Sequence, residues 1–156
     1  MENWFGVDHL DVERLLTEWR WLCSTPMKLI ARNAFANLFL RHESGEIYRL
    51  DVAGGKLTKV ADSEVEFCKL AATPEKRREW FAEAREQWAA AQGLKPNATQ
   101  CVGFSVPLVF AESGSQDNTP YVVDVYEHVS FLGDLHRQIS DVPDGGKVRL
   151  VIAPKP

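Results

Sequence analysis

Apolar positions define the first element. Val12, Leu15, Leu16, Trp19 and Leu22 recur at helical intervals within residues 8–23, the pattern of an amphipathic helix with one buried face. Ser24-Thr25-Pro26 then ends it, because a residue preceding proline is pushed out of the helical region. Short segments follow at residues 27–34, 37–42, 46–52 and 56–61, each rich in apolar or β-branched residues and bounded by turn formers. They predict an antiparallel meander. Its clearest reversal is Gly54-Gly55, which supplies the positive φ angles of a tight hairpin, with Ile47, Leu50, Leu57 and Val60 as its apolar contacts.

Capping signals organise what comes next. Ser63 and Glu66 make a capping box at the start of a short helix over about residues 63–72. Thr73 caps a third helix, with Pro74 at its first position and Glu75 near the positive end of the macrodipole. This helix is expected to reach Gln92, burying Trp80, Phe81, Ala84, Trp88 and Ala91 and closing at Gly93. Its other face, with Lys76, Arg77, Glu79, Glu83, Arg85 and Glu86, reads as a solvated surface of mixed sign. Residues 100–110 are apolar but interrupted by Gly103 and Pro107, which suits an irregular edge strand.

Residues 112–120 are polar and turn-rich and form the best candidate for an exposed functional loop. Residues 121–129 read as a strand, and Ser130 opens a fourth helix with Phe131, Leu132, Leu135 and Ile139 facing inward. Pro143-Asp144-Gly145-Gly146 turns into a last strand over residues 147–152. The expectation for residues 1–156 is a single α+β domain, a mainly antiparallel sheet packed by about four helices.

Charge narrows the function classes. Eighteen Lys and Arg against 22 Asp and Glu leave a formal charge of −4 without a basic stripe, which argues against direct nucleic-acid binding. No apolar run approaches the roughly 20 residues of a membrane span, and the start lacks a secretory pattern. A cytoplasmic protein without a membrane partner is expected, so the Asn97-Ala98-Thr99 sequon has no route to glycosylation. Cys23, Cys68 and Cys101 fit neither a disulfide framework nor a zinc knuckle and are expected to be reduced.

Candidate chemistry is sparse. His128 and His136 lie eight residues apart and, with Asp134, could form a metal or acid–base cluster. No Cys-x-x-Cys or His-Glu-x-x-His frame accompanies them, so neither catalytic residue, metal nor cofactor is expected. Cys101, beside Val102-Gly103-Phe104, invites a nucleophile reading, but an apolar setting would raise its pKa. The pairs Gly54-Gly55 and Gly145-Gly146 lack the lysine and strand-to-helix context of phosphate loops and read as turns. Trp19, Trp80 and Trp88 fall on helical apolar stripes and read as core, whereas Trp4, Phe5 and Trp21 are unassigned. A small hydrolase or metal-dependent enzyme using His128, His136, Asp134 or Cys101 is the alternative, and a regulatory or scaffold module capable of homo-oligomerisation is a third reading.

The stretch Gln100-Cys101-Val102-Gly103-Phe104-Ser105-Val106-Pro107-Leu108, followed by His128-Val129-Ser130-Phe131-Leu132-Gly133-Asp134-Leu135-His136-Arg137-Gln138-Ile139, resembles the bacterial family of C-terminal domains of type VI secretion immunity proteins. Ala34-Phe35-Ala36-Asn37-Leu38-Phe39, Ile47-Tyr48-Arg49-Leu50-Asp51 and Glu66-Phe67 look like further pieces of that family in the same order, over about residues 30–150. The chain departs from its pattern at Ala36, where glycine is usual, at Val102, where tyrosine is frequent, and at Phe110-Ala111-Glu112, where a Leu-Gly-Gly turn is usual. The resemblance implies a non-enzymatic immunity protein that occludes a cognate, nuclease-type toxin. Carboxylates would then mimic phosphate toward a basic partner, with Glu112, Asp117 and Asp134 as the expected contact residues.

Overall fold

The computed structural model describes residues 4–114 and 118–149. It is an α+β fold, with an antiparallel four-stranded sheet and a smaller two-stranded one. The meander comprises β1 (Met27–Arg32), β2 (Leu38–His42), β3 (Ile47–Asp51) and β4 (Lys56–Ala61), hydrogen-bonded in chain order. Period-two alternation sends neighbouring side chains of one strand to opposite faces. Leu38 and Leu40 therefore join one apolar cluster, with Leu15, Leu16 and Trp19, while Phe39 joins another, with Phe67, Trp80 and Phe81. Both faces of the sheet are covered, so the first three residues of β2 are all buried.

One cover is formed by α1 (Val12–Leu16) and α5 (Val125–Ile139). Asp11 caps α1, its Oδ1 accepting from the amides of Glu13 and Arg14 at 3.0 and 3.3 Å. The expected helix over residues 8–23 is shorter than its apolar pattern: it tightens into a 3-10 turn, Thr17–Trp19, because Leu16 sits at φ −95°, ψ 2°. Trp19 then donates from Nε1 to the Val129 carbonyl at 2.8 Å. Gly133 of α5 lies so close to this turn that a Cβ there would come within 2.8 Å of the Glu18 carbonyl oxygen.

The opposite cover is formed by α2 (Glu64–Ala71) and α3 (Pro74–Phe81). Ser63 and Thr73 cap them as expected, accepting from the Glu66 and Lys76 amides. Phe39, Phe67, Trp80 and Phe81 pack as a ring cluster, with Phe67 and Trp80 stacked at 5.1 Å and Phe39 against Trp80 at 5.7 Å.

Three expectations need correction. The helix expected to run from Thr73 to Gln92 breaks at Ala82, whose φ of +50° and ψ of 45° are left-handed, giving α3 and a separate α4 (Glu83–Ala91). Rotation at the break redirects the second stripe: Ala89 is buried, and Ala84, Trp88 and Ala91 are exposed. The fourth helix begins at Val125, five residues before Ser130, because Asp124 accepts from the Glu127 amide at 3.0 Å. His128 is therefore helical, and Val125, Val129, Leu132 and Leu135 face the core while Phe131 points out. The preceding strand is only β6 (Pro120–Asp124), paired with β5 (Gln100–Phe104), which ends before Pro107. Residues 147–149 adopt no strand, and the rest of the expected last strand lies outside the described residues. No helix among the described residues is long and apolar enough to cross a membrane.

Candidate functional site

The two sheets meet at the loop after β1. Asn33 is buried there, its Oδ1 accepting from the amides of Phe35 and Asn37, both at 3.0 Å, and its Nδ2 donating to the Trp80 carbonyl at 3.0 Å. Asn37 in turn accepts from the Val52 amide at 3.1 Å, and the Val102 amide donates to the Ala34 carbonyl at 2.8 Å. One short loop is thereby tied to the end of α3, the end of β3 and the middle of β5. Beneath it the Arg32 guanidinium is buried, donating to the Gln100 carbonyl at 2.7 Å and lying 4.9 Å from the Trp4 ring.

This anchoring presents Phe35 at the surface, where it stacks on Phe104 at 6.3 Å, and Phe104 stacks on Trp88 at 6.4 Å. The segment after β5 forms the far wall. Asn118 holds it, accepting from the Val106 amide at 2.8 Å and donating to the Val106 and Ser113 carbonyls. A groove results, with two compartments that share Phe35, Ala53 and Leu108.

The first compartment is an apolar cleft walled by Val102, Phe104, Tyr121, Phe131 and Leu132 around His128. Its ≈ 40 Å³ matches about one water molecule. Burial pushes the His128 pKa down to about 4, because the charged imidazolium is poorly solvated there. The second is an open recess of ≈ 520 Å³, lined by Arg49 of β3, Arg78 of α3, Arg85 of α4, Asp51 and Glu79. That size suits a small ligand group, since ligand pockets span about 300–1,000 Å³.

Within the recess, Arg49 Nη1 lies 3.9 Å from Glu79, and its buried Nε has no hydrogen-bond partner. Glu79 is shared with Lys76 at 3.1 Å, and Asp51 accepts from the Gly54 amide at 3.0 Å. The Arg85 guanidinium lies 5.8 Å from the Phe35 ring. Among the described residues the only non-glycine positions with positive φ are Ala36 (+67°) and Ala82 (+50°). Ala82 lines the recess, and Ala36 sits between its lining residues Phe35 and Asn37. Each such residue costs about 1–2 kcal/mol, and strain of this kind clusters at functional sites.

The residues singled out from sequence are dispersed. Glu112 is exposed in a 3-10 turn, Ala111–Gly114, beside Ser113, which lines the groove's outer edge. Asp117 lies outside the described residues. Asp134 is on α5, one turn beyond Phe131, paired with Arg137 and accepting from Gln138 Nε2 at 2.9 Å.

His136 is not beside His128. Its Nε2 is 3.1 Å from the Ala53 carbonyl and its ring 5.8 Å from Trp19, whereas eight helical residues separate the two imidazoles by about 12 Å along the axis. Burial also holds the His136 pKa below its ordinary value. Cys101 is a core residue whose thiol is pushed up to about 12, chiefly by burial. The His128/His136 pair weighed from sequence, with Asp134, is therefore not brought together, and no cluster of metal-binding side chains occurs among the described residues.

Sequence reasoning missed the recess. It placed Arg85 and Glu79 on a featureless solvated face and passed over Arg49 and Arg78. No linear pattern could have found it, because Arg78 and Arg85 lie on two helices separated by the break at Ala82, and Arg49 lies on a strand. Compared with protein-family models, curated proteins and solved structures, the chain matches none.

Proposed function

We propose that this protein works by binding a protein partner at the groove, as a cytoplasmic immunity protein that neutralises a cognate secreted toxin. The observation that carries the reading is the concentration of large exposed apolar side chains around the groove: Trp88, Leu108, Tyr121 and Phe131, the last 49% exposed. A contiguous apolar surface rimmed by polar residues is the signature of an interaction site, and aromatic anchors dominate binding energy at such sites. The toxin-neutralising form of the reading rests on the family resemblance. The overall charge of −4 supports it, since an acidic protein steers toward a basic nuclease surface.

Within this reading Glu112, at the groove's edge, is the favoured charged contact, and Asp134, already engaged by Arg137, contributes less. Co-expression with the product of the neighbouring gene, as the candidate toxin, tests the proposal. Growth restored by the parent and lost with Leu108→Asp/Phe131→Asp supports it; toxicity unchanged by the parent overturns it. The same apolar surface favours a second reading, a contact between two copies of this chain. A concentration-dependent dimer by sedimentation, abolished by that double substitution, would distinguish it.

A further inference from the structure

We infer that the recess between β3, the end of α3 and the start of α4 is an oxyanion site, taking a carboxylate or phosphate whose apolar part rests on Phe35 and Leu108. This goes beyond the protein-binding reading and stands or falls separately from it. Guanidinium groups recognise carboxylate and phosphate because their planar donors match two oxygens at once. Three arginines from three different elements, Arg49, Arg78 and Arg85, line one recess. No ion pair engages Arg78 or Arg85 among the described residues.

Arg49 supplies the most specific observation. It lies on a strand with only a distant contact to Glu79, at 3.9 Å, and its Nε is buried without an acceptor. Buried donors are ordinarily paired, and no acceptor in the chain satisfies this one. The two carboxylates in the recess do not fill that role: Asp51 is turned to the Gly54 amide, and Glu79 is divided between Lys76 and Arg49. Local charge is thus positive in a chain whose overall charge is −4.

The backbone adds to the arginines. The left-handed Ala82 breaks the helix at the recess, and α4 begins there without a capping side chain. Its first-turn amides are therefore unsatisfied by the chain and carry the partial positive charge of a helix start. On the other side Phe35 and Leu108 give the ligand an apolar wall continuous with the aromatic row, and Arg85 sits over the Phe35 ring.

The test is a heteronuclear NMR titration of the full chain with two probes, phenyl phosphate and N-acetylphenylalanine, with benzyl alcohol as the neutral control. Saturable shifts at Phe35, Arg49 and Ala82 to Arg85 with either acid, absent with the alcohol, support the site. Phenyl phosphate alone assigns it to a phosphorylated small molecule, and N-acetylphenylalanine alone to a small carboxylic acid. Arg78→Gln/Arg85→Gln, at two exposed positions, is expected to weaken binding about tenfold or more. No saturable shift with either acid, equal shifts with the alcohol, or a smaller loss in the double variant overturns the inference.

Discussion

The His128 cleft and the arginine recess share Phe35, Ala53 and Leu108 as walls, yet they put polar groups to opposite uses. In the cleft an ionisable ring is packed among apolar side chains, with Gly103 close enough that an added Cβ would lie 3.1 Å from the imidazole. The ring is held neutral and the space matches about one water. In the recess the charges are permanent, drawn from three elements, and face more than ten times the volume. A histidine that stands out in a sequence can be consumed by packing, while unremarkable surface arginines become a site once folding converges them.

Removing the shared support has the largest expected effect. Asn33→Ala strands the part-buried amides of Phe35 and Asn37 and the buried Trp80 carbonyl, a buried group left unpaired costing about 1–3 kcal/mol. A stability loss of about 2–4 kcal/mol is expected by urea denaturation. Losses below about 1 kcal/mol would mean the loop does not depend on this side chain.

Acid separates the compartments next. Burial lowers the folded-state pKa of His128 from 6.5 to about 4, so between these values the unfolded chain binds more protons. Stability is full above the unfolded value and declines as pH falls toward the folded one, by roughly 2–3 kcal/mol from this ring. His136 acts in the same direction. Denaturation midpoints measured across that window should fall less steeply for His128→Gln than for the parent; parallel curves would contradict the buried, neutral ring.

Backbone strain at the recess gives a smaller effect of opposite sign. Ala82→Gly should stabilise the protein by about 0.5–1 kcal/mol, because glycine adopts positive φ without a Cβ penalty. Thermal unfolding would reveal it as a raised midpoint, and a lowered one would contradict strain at that residue. The smallest effect is Arg78→Gln/Arg85→Gln, expected to leave stability within about 0.5 kcal/mol, as befits exposed side chains held for something other than folding.

Local signals located the meander, the Ser63 and Thr73 caps and the reversal before β4, because each rests on chemistry within a few residues, although only Gly55 of the glycine pair takes the expected positive φ (+69°) and Gly54 does not. The break at Ala82 carried no such mark. Alanine is the best helix former, so nothing local marks residue 82, and the break is seen only in the fold, where Trp80 and Phe81 are buried before it and Ala89 after it. The start of α5 was hidden differently, since Tyr121, Val122, Val123, Val125 and Val129 look like one strand until Asp124 is recognised as a cap. The groove inherits both difficulties: its arginine side opens at the Ala82 break, and its histidine side depends on residue 128 being helical.

The most direct test of the binding account is the affinity of the purified full chain for the product of the adjacent gene, taken as the candidate toxin, measured by calorimetry for the parent and for Leu108→Asp/Phe131→Asp. The account predicts a saturable complex that the double substitution weakens about a hundredfold or more, as expected when two buried apolar anchors become charges. Absence of a complex with the parent, or equal affinity in the variant, would contradict it.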